Sequence, residues 1–193
     1  MKTINIAILA SGTGSNAVKI IEHFKGNEQV NFIVISNRKE AKVLESATSM
    51  GVQSHYFNRK DFYENGSVLN CLKDFNTDLV ILAGFLWLVP EDMLEQYPDR
   101  ILNIHPALLP KFGGKGMYGM NVHKAVVAKG EKQSGITIHF CNKHYDEGRA
   151  ILQASCDIAP DDSPEEVARK VLQLEHFYYP RVIERMVIQA LAE

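Results

Sequence analysis

The run Leu79-Val80-Ile81-Leu82-Ala83 is apolar without interruption, and this constrains the fold more than any other stretch of the chain. A strand with one wet face alternates apolar and polar residues, so one that does not alternate has to be covered on both sides. Further runs of β type stand at Ile4–Leu9, Val30–Ser36, His55–Phe57 and Ile101–Ile104, and helical periodicity fills the intervals at Asn16–Phe24, Ala41–Met50, Asp61–Phe75 and Glu91–Gln96. Strand and helix alternating in this order predict an α/β fold, a doubly wound, mostly parallel sheet with right-handed crossovers. After Pro110 the pattern changes. Residues 112–119 carry four glycines and are expected to form a mobile loop, followed by a helix near Val122–Ala128. Two strand runs, Gly135–Cys141 and Ala150–Asp157, then predict a small antiparallel C-terminal part, joined by a polar connection that holds Asp146 and Gly148. Ser163-Pro164-Glu165-Glu166 combines an N-cap, a first-turn proline and a capping-box glutamate, and opens the last helix. With 193 residues and no internal repeat or linker, a single domain is expected over 1–193.

Charge and cysteine usage narrow the functional classes. A net charge of −2 argues against a nucleic-acid partner, which calls for a basic face or stripe. Three dispersed cysteines without C-x-x-C pairing favour neither a disulfide framework nor a zinc cluster, and no two of the seven histidines have the spacing of a helical metal pair, so no metal is expected. The N-terminus runs directly into Ile4–Leu9 without signal-peptide architecture, and no apolar run approaches the ~20 residues that span a bilayer. The expectation is a soluble, cytoplasmic protein that acts on small molecules, as a monomer or homodimer.

Two motifs carry candidate chemistry. In a strand over Ile101–Ile104, residues two apart share a face, so Asn103 and His105 point one way while Leu102 and Ile104 point the other. Pro106 ends the ladder, leaving an amide beside an imidazole at a strand's carboxyl end, where open α/β sheets place ligands. Such a pair suits a developing oxyanion; a turn asparagine and a histidine satisfied by backbone would fit the same spacing. The second motif, Gly12-Thr13-Gly14-Ser15-Asn16-Ala17, satisfies G-x-G-x-x-G/A directly after a strand. A dinucleotide fold wants an acidic residue at the end of the second strand, but Ile35-Ser36-Asn37-Arg38 offers none, and the P-loop lysine is missing too. What remains is a turn offering backbone N–H groups and the Ser15 hydroxyl to a phosphate monoester at a helix N-terminus, or an ordinary strand–helix turn.

Leu102-Asn103-Ile104-His105-Pro106 with Leu108-Leu109-Pro110 resembles the signature of the folate-dependent formyltransferases. Gly12–Asn16, Asp146-Glu147-Gly148 with Ile151-Leu152-Gln153, and Glu175-His176 with Pro180 continue the match in order along nearly the whole chain. The resemblance implies a Rossmann-like formyltransferase fold, in which residues 1–100 form a phosphate-binding half and residues 101–193 a catalytic and folate-binding half. It implies formyl transfer from 10-formyltetrahydrofolate, a co-substrate, to the amine of 5′-phosphoribosylglycinamide in purine biosynthesis. Asn103, His105 and Asp146 match its catalytic positions. Gly14, Ser15 and Asn16 match positions that hold the phosphate, and Glu175 matches a substrate-contacting carboxylate. Phe85, Leu86, Trp87, Leu88 and Val89 match the turn that lines the pterin pocket, together with Leu94, Ile101 and Asn103, with backbone groups near Trp87 and Val89 meeting the heterocycle. Thr137 and His139 would lie near the reacting centre or serve structure alone, and Leu109-Pro110 matches a bond that is often cis. Trp87 departs from many bacterial relatives, which carry arginine there. A formyltetrahydrofolate hydrolase, with water as acceptor, and a nucleotide-binding sensor without catalysis are the alternatives.

Overall fold

Alternation inside β1 (Ile4–Leu9) divides the interior. Ile4, Ile6 and Ile8 enter one hydrophobic cluster, while Ala7 and Leu9 enter another on the opposite face of the sheet. The computed structural model describes residues 2–192. After β1 the chain forms α1 (Ser15–His23), β2 (Val30–Ser36), α2 (Lys42–Ser49), β3 (Gln53–Tyr56), α3 (Arg59–Tyr63), α4 (Ser67–Asp74) and β4 (Leu79–Leu82). It continues through α5 (Glu91–Gln96), β5 (Ile101–His105), α6 (Met120–Ala128), β6 (Gln133–Phe140), β7 (Ala150–Asp157) and α7 (Pro164–Ala192). The seven strands make one sheet in the order β3-β2-β1-β4-β5-β6-β7. β1 to β5 run parallel; β6 and β7 are antiparallel additions. α1, α2, α6 and α7 cover the first cluster, and α3, α4 and α5 the second.

All four residues of β4 are buried, as the unbroken apolar run requires. Because the strand order reverses between β1 and β4, a crevice opens at their carboxyl ends. Tyr179 of α7 is fully buried against the same strand ends. Its hydroxyl is shared between the carbonyls of Leu82 at 3.0 Å and Leu102 at 3.1 Å, where β4 and β5 lie side by side.

Local chemistry explains where the sequence expectations shift. The helix expected over Asp61–Phe75 is two. Asn58 and Asp61 form a reciprocal capping box that starts α3 at Arg59, and Gly66, with φ of 68°, separates it from α4. β3 covers Gln53–Tyr56 rather than His55–Phe57: it is a polar edge strand defined by backbone pairing with β2, which leaves no apolar period to read. β5 extends one residue further than expected and includes His105. The expected capping box of α7 is present, with Glu166 accepting from Ser163 N at 2.7 Å and Ser163 Oγ accepting from Glu166 N at 3.2 Å. Leu109-Pro110 is cis. Among the described residues no helix is long and apolar enough to cross a membrane.

Candidate active site

At the carboxyl ends of β4 and β5 lies a cavity of about 390 Å³, within the range of small-molecule sites. Asn103 and His105 line it; Leu102 and Ile104 pack in the first core cluster, with Ile104 also reaching the cavity at the end of the strand. Antiparallel pairing with β6 sets His139 opposite Asn103 and Thr137 opposite His105. His139 Nδ1 lies 2.9 Å from the carbonyl of Phe140 and must donate to it, so Nε2 is the acceptor for Asn103 Nδ2 at 3.2 Å. Burial holds the His139 imidazole below its ordinary pKa, which keeps that acceptor lone pair in place. One amide proton of Asn103 is thereby engaged, and the other remains for a ligand. Thr137 is a structural residue. Its hydroxyl donates to the Ala107 carbonyl at 2.7 Å and accepts from Leu109 N and Gln153 Nε2, bracing the segment that follows β5.

Asp146 arrives from the β6–β7 connection. Its φ of 58° is the left-handed conformation that aspartate tolerates in turns. The side chain, however, points inward: it is 10% exposed, with Oδ2 3.4 Å from His105 Nδ1 and Oδ1 3.8 Å from His139 Nε2. Gly148 makes this placement possible, since a Cβ there would sit 1.6 Å from the carbonyl oxygen of Phe140. Residues 112–119, expected to be mobile, are tied at their base to the same group. His105 Nε2 donates to the Phe112 carbonyl at 2.7 Å, and Gly114 N donates to Asp146 Oδ2 at 2.9 Å. The two His105 nitrogens thus face oxygens, Nε2 the Phe112 carbonyl at 2.7 Å and Nδ1 the Asp146 carboxylate at 3.4 Å.

The phosphate candidates divide. Asn16 lines the cavity and donates through Nδ2 to Glu175 Oε2 at 2.6 Å, while its own Oδ1 is buried without a partner. Gly14 and Ser15 stand at the start of α1 but do not line the cavity. Gly14 has a packing reason for its identity: φ is 75°, and a Cβ would lie 2.2 Å from a methyl of Val43. Substitution there would strain the fold whether or not a phosphate binds.

Burial raises the Glu175 carboxyl above its ordinary value, against the lowering effect of Asn16. A raised folded pKa means that stability present below the unfolded value is lost as pH rises through the folded one. Glu175→Gln should therefore raise the melting temperature of the ligand-free protein at pH 8, and much less at pH 4. Thermal unfolding at the two pH values checks this; equal shifts at both would place the effect outside Glu175 ionisation.

The apolar end is the turn after β4. Phe85, Leu86, Trp87, Leu88 and Val89 all line the cavity, although Phe85 and Val89 are mostly consumed by the second core cluster. Leu86 N donates to Ser11 Oγ and the Leu88 carbonyl accepts from Tyr63 Oη, leaving the backbone at Trp87 and Val89 without a protein partner among the described residues. Leu94 and Ile101 lie in the adjacent core and do not reach the cavity. Trp87 packs against Phe62, Tyr63 and Phe85, and the Arg59 guanidinium lies 5.8 Å from its ring centroid and 4.8 Å from that of Tyr63.

Sequence reasoning did not reach Lys115, His123 and Cys141, which also line the cavity. Lys115 sits within the glycine run, the one signal that pointed there. His123 lies on the buried face of α6, where a lone histidine among apolar residues gives no warning; its Nδ1 is buried without a partner, and burial together with His105 pushes its pKa down. Burial pushes the Cys141 thiol up to about 12, so it stays protonated and is no nucleophile. Among the described residues no three His, Cys, Asp or Glu side chains are grouped to hold a metal ion.

A family model described as formyl transferase matches residues 4–183. The chloroplastic phosphoribosylglycinamide formyltransferase of Arabidopsis thaliana is 40% identical over 185 residues, covering 92% of this chain and 63% of that protein. The phosphoribosylglycinamide formyltransferase of Escherichia coli (strain K12) is 33% identical over 187 residues, covering 93% of this chain and 85% of that one. The chain thus spans less than two thirds of the plant relatives' length, 63% and 60% in the two matched. Among solved structures, the phosphoribosylglycinamide formyltransferase of Anaplasma phagocytophilum superposes with a TM-score of 0.88 at 32% identity, over 97% of this chain and 89% of that one. Glycinamide ribonucleotide transformylase 1 of Symbiobacterium toebii gives 0.85 at 35% identity, over 94% and 86%.

Proposed function

Because the chain belongs to the formyl transferase family, we propose that it moves the formyl group of 10-formyltetrahydrofolate onto the amine of 5′-phosphoribosylglycinamide, a step of purine biosynthesis. One observation carries the reading: Asn103, His105 and Asp146, from one strand and a turn, converge on one cavity with Asp146 Oδ2 3.4 Å from His105 Nδ1. The apolar turn at 85–89, with its unpartnered backbone groups, suits a flat heterocycle such as the pterin. Asn16 and Glu175 suit the ribonucleotide, and Gly14 and Ser15 present a helix N-terminus to its phosphate. Both substrates are small molecules. The chain would act in the cytoplasm as one formyltransferase domain, monomeric or as a homodimer.

Since the substrate's amine is itself the nucleophile, the residues have three tasks: to hold amine and formyl in contact, to stabilise the oxyanion, and to move one proton. Asn103 donates its remaining amide proton to the formyl oxygen as the new C–N bond forms. His105 donates to the same oxygen by exchanging its Nε2 bond to Phe112 for the substrate. Asp146, through water, accepts the proton that the amine sheds. That proton ends on the folate nitrogen as its bond to the formyl carbon breaks, so no proton is gained or lost overall.

Deformylation of 10-formyltetrahydrofolate, followed by absorbance with and without phosphoribosylglycinamide, tests this. Fast turnover is expected with the amine present, and far slower turnover without it. Equal rates in both conditions would make the protein a hydrolase; no turnover in either would leave a binding protein.

A further inference from the structure

Lys115 is the only lysine or arginine among the residues lining the cavity, where Asp146 and Glu175 supply carboxylates. It is exposed, and among the described residues it forms no salt bridge, unlike Lys19, Lys111 and Lys170. The loop fixes where the lysine can reach. Before it, the Phe112 carbonyl accepts from His105, and Gly114 N donates to Asp146. A Cβ at Gly113 would come within 3.3 Å of the Asp146 Cβ and 2.6 Å of Leu109, so the chain there lies directly against the catalytic carboxylate. Beyond it, Met117 N donates to the Gly114 carbonyl and Asn121 Nδ2 to the Gly116 carbonyl. An unpaired ammonium is thus mounted on a braced turn at the mouth of an acid-bearing cavity.

An anion entering this cavity meets Lys115 as the one Lys or Arg side chain of its lining. Of the groups on the two substrates, the phosphate monoester carries the densest negative charge, and Lys binds phosphate as a compact point charge. We propose that Lys115 receives the 5′-phosphate of the ribonucleotide and sets the enzyme's preference for phosphorylated over unphosphorylated acceptors. This rests on the function argued above.

Equilibrium binding separates the two. Ribose 5-phosphate, phosphoribosylglycinamide, its dephosphorylated riboside and 10-formyltetrahydrofolate would be titrated by calorimetry into wild type, Lys115→Ala and Lys115→Arg. A charge-assisted bond of this kind predicts an affinity loss of about ten- to a hundredfold for both phosphorylated ligands in Lys115→Ala. The riboside and the folate should be unaffected, and Lys115→Arg should stay within a few-fold of wild type. Equal losses for riboside and ribonucleotide, no loss for either, or a loss falling on the folate would each overturn the assignment. Wild-type formyl transfer is scored in the separate assay, so a failed function and a failed Lys115 role give different results.

Discussion

Asp146→Asn is expected to lower the turnover number for formyl transfer by about a hundredfold or more, because a proton acceptor and a fixed charge are lost together. The fold should hold. Asparagine keeps the size of the side chain and tolerates the left-handed backbone. Its carbonyl oxygen can still accept from Gly114 N, as Asp146 Oδ2 does at 2.9 Å. What disappears is the charge facing His105 Nδ1 at 3.4 Å and the site that takes the amine's proton. Neither acts strongly on the ground state, so substrate affinities should change only a few-fold. Single-turnover kinetics, paired with binding of both substrates and circular dichroism, check this. A rate within a few-fold of wild type would reduce Asp146 to a residue of the turn.

Gly148→Ala should do as much harm by another route. The added carbon would lie 1.6 Å from the Phe140 carbonyl oxygen and 3.3 Å from His139 Nδ1, and the first contact is with backbone that has no rotamer to escape through. Relief requires the β6–β7 connection to lift away from β6. That carries Asp146 away from both His105 and His139, the histidine that orients Asn103. Overpacking of this kind costs about 3 kcal/mol, and activity should fall along with stability. Denaturant unfolding and the transfer assay would show it. If the variant keeps both its unfolding midpoint and its rate, the close approach at Gly148 has no part in the site.

Most of the parallel half of the sheet could be read from the sequence because β1, β2, β4 and β5 bury residues on both faces, the unbroken run at Leu79–Ala83 most completely. β3 could not be placed as well, since an edge strand of Gln, Ser, His and Tyr is held by backbone pairing alone. The Gly66 break was hidden for a similar reason: residues 61–75 keep helical periodicity across it, and a glycine's φ leaves no mark on that period. In the site, the Asn103–His105 pair followed from two-residue spacing within one strand. Asp146 stands 41 positions beyond His105, as the pair separation 146 − 105 shows, and no local pattern joins them; resemblance supplied the pairing and the fold supplied the 3.4 Å. Lys115 and His123 went unread because what makes them cavity residues is the path of a loop and one face of α6.

Tyr179 anchors the last helix beneath the site. One hydroxyl proton shared by the Leu82 and Leu102 carbonyls ties α7 to the ends of β4 and β5, strands that are already paired through Leu82 and Asn103. The floor of the cavity is thus built on paired strands backed by the buried face of a helix. Accommodation to substrates of different bulk falls to the rims, the turn after β4 and the glycine run before α6, and variation in what the enzyme accepts can accumulate there without disturbing the residues that do the chemistry.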